Sequence, residues 1–202
     1  MKAGLCIAAL LISTAAFAQS SSPGPYIIDL RGAMSGAPGG AAFYPTVPAE
    51  TRAPRRAFGF GAGAHVFPFQ LGIARVGFGV DVMRVRGSAT SVHNINAAMT
   101  VSTIAPQVSF NFGTREGWSY LSGGYGTTQT NAKVETPAEG STAAATLMRG
   151  RRTGSINIGG GARWFVRDHV AVGFDVRFHR FGATPGLPST QIVGLLVGVS
   201  AR

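Results

Sequence analysis

The chain has 202 residues, 45% of them hydrophobic and 13% charged, which is enough for one domain with a sizeable interior. Its 29 glycines show no Gly-x-y period, so a collagen-like fibre is excluded. Eighteen Lys and Arg against eight Asp and Glu leave a net charge of +10, nearly all of it from arginine, and point to an anionic partner, either nucleic acid or lipid phosphate.

The first segment separates those two partners. "MKAGLCIAALLISTAAFAQ" carries one lysine, an apolar run from Ala3 to Ile12 and then Ala16-Phe17-Ala18. This is the pattern of a secretory signal peptide with an A-x-A cleavage site, so residues 1–18 are expected to be removed after Sec-type export. The run is too short to span a bilayer as a helix. A secreted chain has little access to nucleic acid, so no nucleic-acid partner is expected. The only cysteine, Cys6, lies inside the signal. The mature chain, 19–202, therefore has neither a disulfide framework nor a thiolate metal site.

From Tyr26 onward the apolar residues recur with period two, the signature of β-strands. "YIIDLRGAM" sets Tyr26, Ile28 and Leu30 against Asp29 and Arg31. "AFGFGAGAHVF" from Ala57 sets Phe58, Phe60 and Val66 against Gly59, Gly61, Gly63 and His65. "GIARVGFGVDV" from Gly72 sets Val76, Phe78, Val80 and Val82 against Arg75 and Asp81. "STIAPQVSFNF" from Ser102 follows the same rule, and "GWSYLSGGYGTT" from Gly117 follows it weakly, with Tyr on both faces. "SINIGGGARWFV" from Ser155 puts Arg163 on the polar face. "HVAVGFDVRFHRF" from His169 puts Asp175 and Arg177 there, and "QIVGLLVGVSA" from Gln191 closes the series. The strands are each near the ~9–11 residues that a tilted membrane strand needs.

The connections alternate in length. Long segments at Ser35–Arg56, Arg86–Ala98, Thr128–Arg152 and Gly182–Thr190 are separated by the short "PFQL", "GTRE" and "RD". One end of the sheet thus carries loops and the other tight turns, as in an antiparallel up-and-down meander. The polar faces are rich in glycine, which packs poorly on a solvated surface but makes room inside a narrow barrel. No helix is expected that could cover the apolar faces, so lipid is expected to cover them, and a closed barrel satisfies every backbone group in hydrocarbon. Phe67, Phe69, Phe112, Trp118, Trp164 and Phe165 gather near the tight turns, where an interfacial aromatic girdle is expected.

With its signal, strand count, loop alternation and apolar-out faces, the mature chain resembles the small outer-membrane β-barrel family, similar to OmpA and OmpX membrane domains. The resemblance implies an all-β, eight-stranded antiparallel up-and-down transmembrane β-barrel in the bacterial outer membrane. It implies folding by the barrel assembly machinery, a monomer, and termini and tight turns in the periplasm. The chain departs from the pattern by ending "VGVSAR" rather than in an aromatic residue. It brings no catalytic motif, cofactor or metal, and a structural or surface-interaction role is expected rather than an enzyme.

Two groups of residues stand out. Asp29, Arg31, Arg75, Asp81, Arg163, Asp175 and Arg177 fall on polar faces and are expected to pair in the lumen, since an unpaired buried charge is costly. Arg52, Arg55, Arg56, Arg84, Arg86, Arg149, Arg151, Arg152 and Arg180 fall at the loop end, where they suit the phosphates of outer-membrane lipid, lipopolysaccharide in particular. Other readings are weaker. "GFGAGA" and "GGYG" lack the helix that a phosphate loop requires. The four histidines are scattered and do not suggest a metal site. A lipid A-modifying enzyme would draw on His93 with Ser88 or Ser91, or on His179, but no spacing singles them out. A soluble secreted barrel for a small apolar ligand would need an apolar lumen.

Overall fold

The computed structural model describes residues 24–38, 43–44, 53–90, 95–136, 145–183, 185 and 188–202, with backbone only at 136 and 145–149. The expected signal peptide, residues 1–18, lies outside the described residues. Eight strands follow one another: β1 Tyr26–Gly36, β2 Arg56–Leu71, β3 Ala74–Thr90, β4 Asn96–Gly113, β5 Gly117–Thr136, β6 Ala145–Arg167, β7 Val170–Phe181 and β8 Thr190–Ala201. Each is antiparallel to its neighbours, and β8 pairs back to β1, for example Leu30 with Val199, so the sheet is a closed barrel without an open seam. The expected fold is the observed one.

The face question has a direct answer in β7. Val170, Val172, Val176 and Phe178 are exposed, whereas Asp175 is 0% and Arg177 2% exposed. All eight strands expose large apolar side chains outward, from Ile28 and Leu30 on β1 to Val197 and Val199 on β8. Soluble monomers do not surround themselves with such a belt. It is the surface of a barrel that lives in lipid.

The belt does not run the whole length of the strands. Above it, towards the loop end, polarity inverts. On β3, Arg84, Arg86 and Ser88 face out while Met83 and Val85 face in. On β5, Gln129 and Asn131 face out while Ala132 and Val134 face in. Here the wall has the ordinary pattern of a sheet standing in water, with an apolar interior.

This inversion corrects the expected loops. The segment Thr128–Arg152 is largely strand: β5 continues to Thr136 and β6 begins at Ala145, paired residue by residue from Thr136↔Ala145 downward. Likewise β3 runs to Thr90 and β4 begins at Asn96. A membrane pattern looks for apolar residues outside, and these extensions carry polar ones there. At the opposite end "PFQL" is strand as well. A register shift between Val66 and Phe69 carries β2 on to Leu71, and the turn is made by Gly72, at φ 58°, with Ile73.

The aromatic girdle also needs correction. Phe69 and Trp164 face out, but Phe67 and Trp118 are 2% and 3% exposed and point into the barrel. With Ile27, Tyr120 and Phe165 they form an apolar floor across the tight-turn end. Phe67 meets Trp118 edge-on at 6.3 Å, and Trp118 meets Phe165 at 5.0 Å. Phe67 continues the inward parity of Gly63 and His65, and the bulge after Val66 brings Phe69 to the outer face.

Candidate functional site: a closed ionic lumen and an arginine collar

Between the apolar floor and the apolar upper interior lies a layer of charge. Asp29, Arg31, Asp81, Arg163, Asp175 and Arg177 are each no more than 5% exposed. They sit on four strands, β1, β3, β6 and β7, placed inward by strict alternation. Arg163 binds Asp29 bidentately, Nε to Oδ1 at 2.9 Å and Nη2 to Oδ2 at 2.7 Å. Ser200 Oγ donates to Asp29 Oδ1 at 2.5 Å. Arg177 binds Asp175 bidentately at 3.1 and 2.7 Å, and Tyr120 donates to Asp175 Oδ2 at 2.7 Å. Arg31 Nη2 bonds Asp81 at 2.5 Å, while its Nη1 lies 3.3 Å from Asp175 in an ion-pair contact without hydrogen-bond geometry.

Neutral groups complete the layer. The Arg177 guanidinium also donates to Gln107, Asn157 and Ser122 at 3.0, 2.8 and 2.9 Å. Arg163 stacks over the Tyr120 ring at 4.0 Å. Three arginines face three aspartates, so the layer carries no net charge when all are ionised. The cavity beside Asp29, Arg31, Tyr120, Arg163 and Ser200 is about 10 Å³, room for roughly one water.

Glycine is what lets the arginines lie flat across so narrow a lumen. A Cβ on Gly63 would stand 3.1 Å from both Arg31 Nη2 and Asp81 Oδ2. One on Gly198 would stand 2.1 Å from the Leu30 carbonyl oxygen and 3.0 Å from Arg31 Cγ.

Of the seven expected lumen charges, these six make ion pairs with one another. Arg75 sits elsewhere, half-buried beside the β2 bulge, where its Nε donates to the Phe67 carbonyl at 3.2 Å. His65 and His179 face inward, 6% and 1% exposed, and neither ring nitrogen has a hydrogen-bond partner among the described residues. Sequence reasoning missed Tyr120, Gln107, Asn157, Ser122 and Ser200. Their inward parity was legible, but their role needed the partners across the barrel.

The upper interior is apolar. Met83, Val85, Met99, Val101, Val134, Phe181 and Leu196 meet there, and Phe43 and Tyr44 from the β1–β2 connection are buried among them. That connection was expected to face outward; this part of it dips into the mouth. Tyr44 donates to the Pro38 carbonyl at 3.3 Å, and burial pushes its phenol up to about 12. Buried side chains thus occupy the lumen at three levels, the floor, the ionic layer and the mouth.

The loop-end arginines divide. Arg56, Arg84, Arg86, Arg152 and Arg180 are exposed and face outward at the upper edge of the apolar belt. Arg84 pairs across the sheet with exposed Phe60, Arg86 with exposed Phe58 and Arg180 with exposed Ile156. They form a collar where the exposed apolar belt ends. Arg55 is exposed just before β2. Arg151 departs from the expectation: it shares the parity of buried Ser155, faces the mouth and is half-buried. Arg52 lies outside the described residues, as does the side chain of Arg149, whose backbone belongs to β6 rather than to a loop. The expected hydrolase candidates are described only in part. Ser88 is exposed on the outer face of β3, His179 is buried in the lumen, and Ser91 and His93 lie outside the described residues. No group of three or more metal-ligating side chains is present among the described residues.

No family model matches the chain, and no curated protein matches it. Its fold does match solved structures. Ail, the attachment invasion locus protein of Yersinia pestis, superposes with a TM-score of 0.58 at 13% identity, covering 89% of this chain and 99% of Ail. Ail in complex with the heparin analogue sucrose octasulfate gives a TM-score of 0.55 at 12% identity, with the same coverage. Neisserial surface protein A gives 0.56 at 14% identity, covering 91% of this chain and 99% of that one. The chain shares the architecture of these small membrane barrels.

Proposed function

We propose that this protein is an integral outer-membrane barrel with a structural or surface-interaction role, a closed lumen, and an arginine collar that holds the phosphates of outer-leaflet lipid. One observation carries the reading. The exposed arginines begin where the exposed apolar residues end, on strands β2, β3, β6 and β7. A side chain at that level has its stem against hydrocarbon and its guanidinium among head groups. Guanidinium binds phosphate through paired hydrogen bonds, more favourably than a lysine ammonium would. The loop end then faces the cell exterior and the tight turns face the periplasm, with the barrel acting as a monomer after Sec export and assembly-machinery insertion.

Side chains at three levels of the lumen among the described residues support a plug rather than a pore. The collar is tested by the Arg84→Gln/Arg86→Gln/Arg180→Gln variant, purified beside the wild type from the same membranes. Lipopolysaccharide retained per barrel is expected to fall several-fold, and the residue to wash off more readily as salt rises. Equal retention by the triple variant would remove the collar as a lipid site.

A further inference from the structure

The three tight turns are chemically unlike. The turn between β4 and β5 carries exposed Arg115 and Glu116, and the turn between β6 and β7 carries exposed Arg167, Asp168 and His169. The β2–β3 turn has no such group: between His65 and Arg75 no side chain is ionisable. Its tip is apolar instead. Phe69, Leu71 and Ile73 are 61%, 68% and 86% exposed, and no large apolar side chain among the described residues is more exposed than Ile73. Turn tips in water favour polar residues and glycine. This tip has glycine at Gly72 but surrounds it with aliphatic side chains.

The tip continues the apolar belt. Phe69 stands opposite Val76 and Leu71 opposite Ala74 in the ladder, and Phe69 meets exposed Phe78 edge-on at 6.2 Å. On β6 and β7 the belt stops short of the tip, at Val166 and Val170, with Arg167, Asp168 and His169 between them. Gln70, the one polar side chain of the apolar tip, donates Nε2 to the Gly72 carbonyl at 3.3 Å. That gives a turn carbonyl a partner within the chain, as a backbone group in hydrocarbon needs. The sequence before Gly24, QSSSP at 19–23, is too polar to cover such a tip.

We infer that the β2–β3 hairpin is a membrane anchor whose partner is the acyl chains of the inner leaflet. Leu71 and Ile73 lie in hydrocarbon, while the other two turns stand among head groups and water. The inference rests on the proposed placement of the tight turns at the periplasmic face. Dimensions agree with it. Ile73 precedes Arg84 of the collar by eleven positions. At ~3.3 Å per residue and an inclination of ~40°, that is about 28 Å of height, against a hydrocarbon core of ~30 Å. A barrel held by Arg84 at the outer head groups therefore keeps Ile73 at the inner edge of the hydrocarbon. Continuity with the belt selects lipid as the occupant.

The test uses the full barrel with Cys6→Ser, reconstituted in phosphatidylcholine vesicles, with a bimane label on single-cysteine variants Ile73→Cys, Arg115→Cys, Asp168→Cys and Val176→Cys. Lipid brominated along its acyl chain quenches a label that lies in hydrocarbon. Quenching at position 73 is expected to come within twofold of that at the belt position 176, and to exceed that at 115 and 168 at least threefold. Leu71→Gln/Ile73→Gln changes two exposed side chains and should leave folding intact, as gel mobility reports. It should lower the quenching of a label at Phe69→Cys at least twofold. Quenching at 73 no greater than at 115 and 168, with position 176 quenched, overturns the inference and leaves the barrel reading standing. An unquenched position 176 removes the belt, and the inference with it. An apolar emission at 73 without bromine quenching means that protein covers the tip, and a label at 69 indifferent to the double variant means that the tip side chains do not hold it; either overturns the anchor.

Discussion

Removing one carboxylate from the ionic layer should be among the most damaging single changes in the barrel. Asp175 is fully buried and accepts two hydrogen bonds from Arg177 and one from Tyr120, with Arg31 at 3.3 Å. Asp175→Ala leaves three arginines facing two aspartates, a layer with a net charge of +1. Arg177 keeps its bonds to Gln107, Asn157 and Ser122, and Arg31 keeps Asp81. Those partners soften the loss, and the cavity beside the layer, about 10 Å³, admits only about one water to screen the uncompensated charge. Breaking a buried pair from one side costs about 3–5 kcal/mol, and Asp175 is expected to fall in that range. The double variant Asp175→Ala/Arg177→Met removes both charges and should be less destabilised than the single one, because no guanidinium is left uncompensated. Urea unfolding of barrels in lipid vesicles, followed by the gel-mobility difference between folded and unfolded forms, measures both. An Asp175→Ala barrel within about 1 kcal/mol of the wild type, or a double variant weaker than the single one, would refute a dry, charge-balanced layer.

Gly63→Val should fold poorly, because its Cβ would meet the Arg31–Asp81 ion pair at 3.1 Å on both partners, whereas Gly36→Val has open space and should fold normally; folding yield in vesicles separates them. On the plug proposal the wild-type barrel in planar bilayers should show no large steady conductance, and a sustained open current would remove the plug. Tyr44 titrates late: burial holds its phenol at about 12, above the ordinary tyrosine value of 10.0. Between those values the unfolded phenol has lost its proton and the folded one has not. The stabilising effect of the buried phenol is therefore full below pH 10 and is lost as pH rises towards 12. A difference titration against Tyr44→Phe, read by phenolate absorbance, should show the late step; a Tyr44 that ionises near pH 10 would mean the mouth is wet.

How much of this was legible beforehand depends on how local each feature is. The period-two alternation of β7 set Asp175 and Arg177 on one face and the valines on the other, and the inverted environment followed from glycine on the polar faces and the lack of any covering helix. Alternation depends only on neighbouring residues, so sequence alone determined the strand count, the up-and-down order and the inward parity of six of the seven expected charges, Arg75 being the exception. It did not determine which charge meets which. Arg163 finds Asp29 from 134 positions away, and Arg177 finds Ser122 from 55, because register and closure bring distant strands face to face across a narrow lumen. The upper wall was hidden for a related reason. Where β5 and β6 leave the apolar belt, the same alternation continues with its polarity exchanged, and a segment such as 128–136 reads as loop to any rule that expects apolar residues outside. Phe67 and Trp118 were legible by parity, with His65 and with Tyr120, as inward residues, whereas the one-residue bulge in β2 that carries Phe69 to the outer face is not written in the local pattern. The strand pattern lies in the chain; the depth of each residue relative to lipid, and its partner across the barrel, come only from the closed sheet.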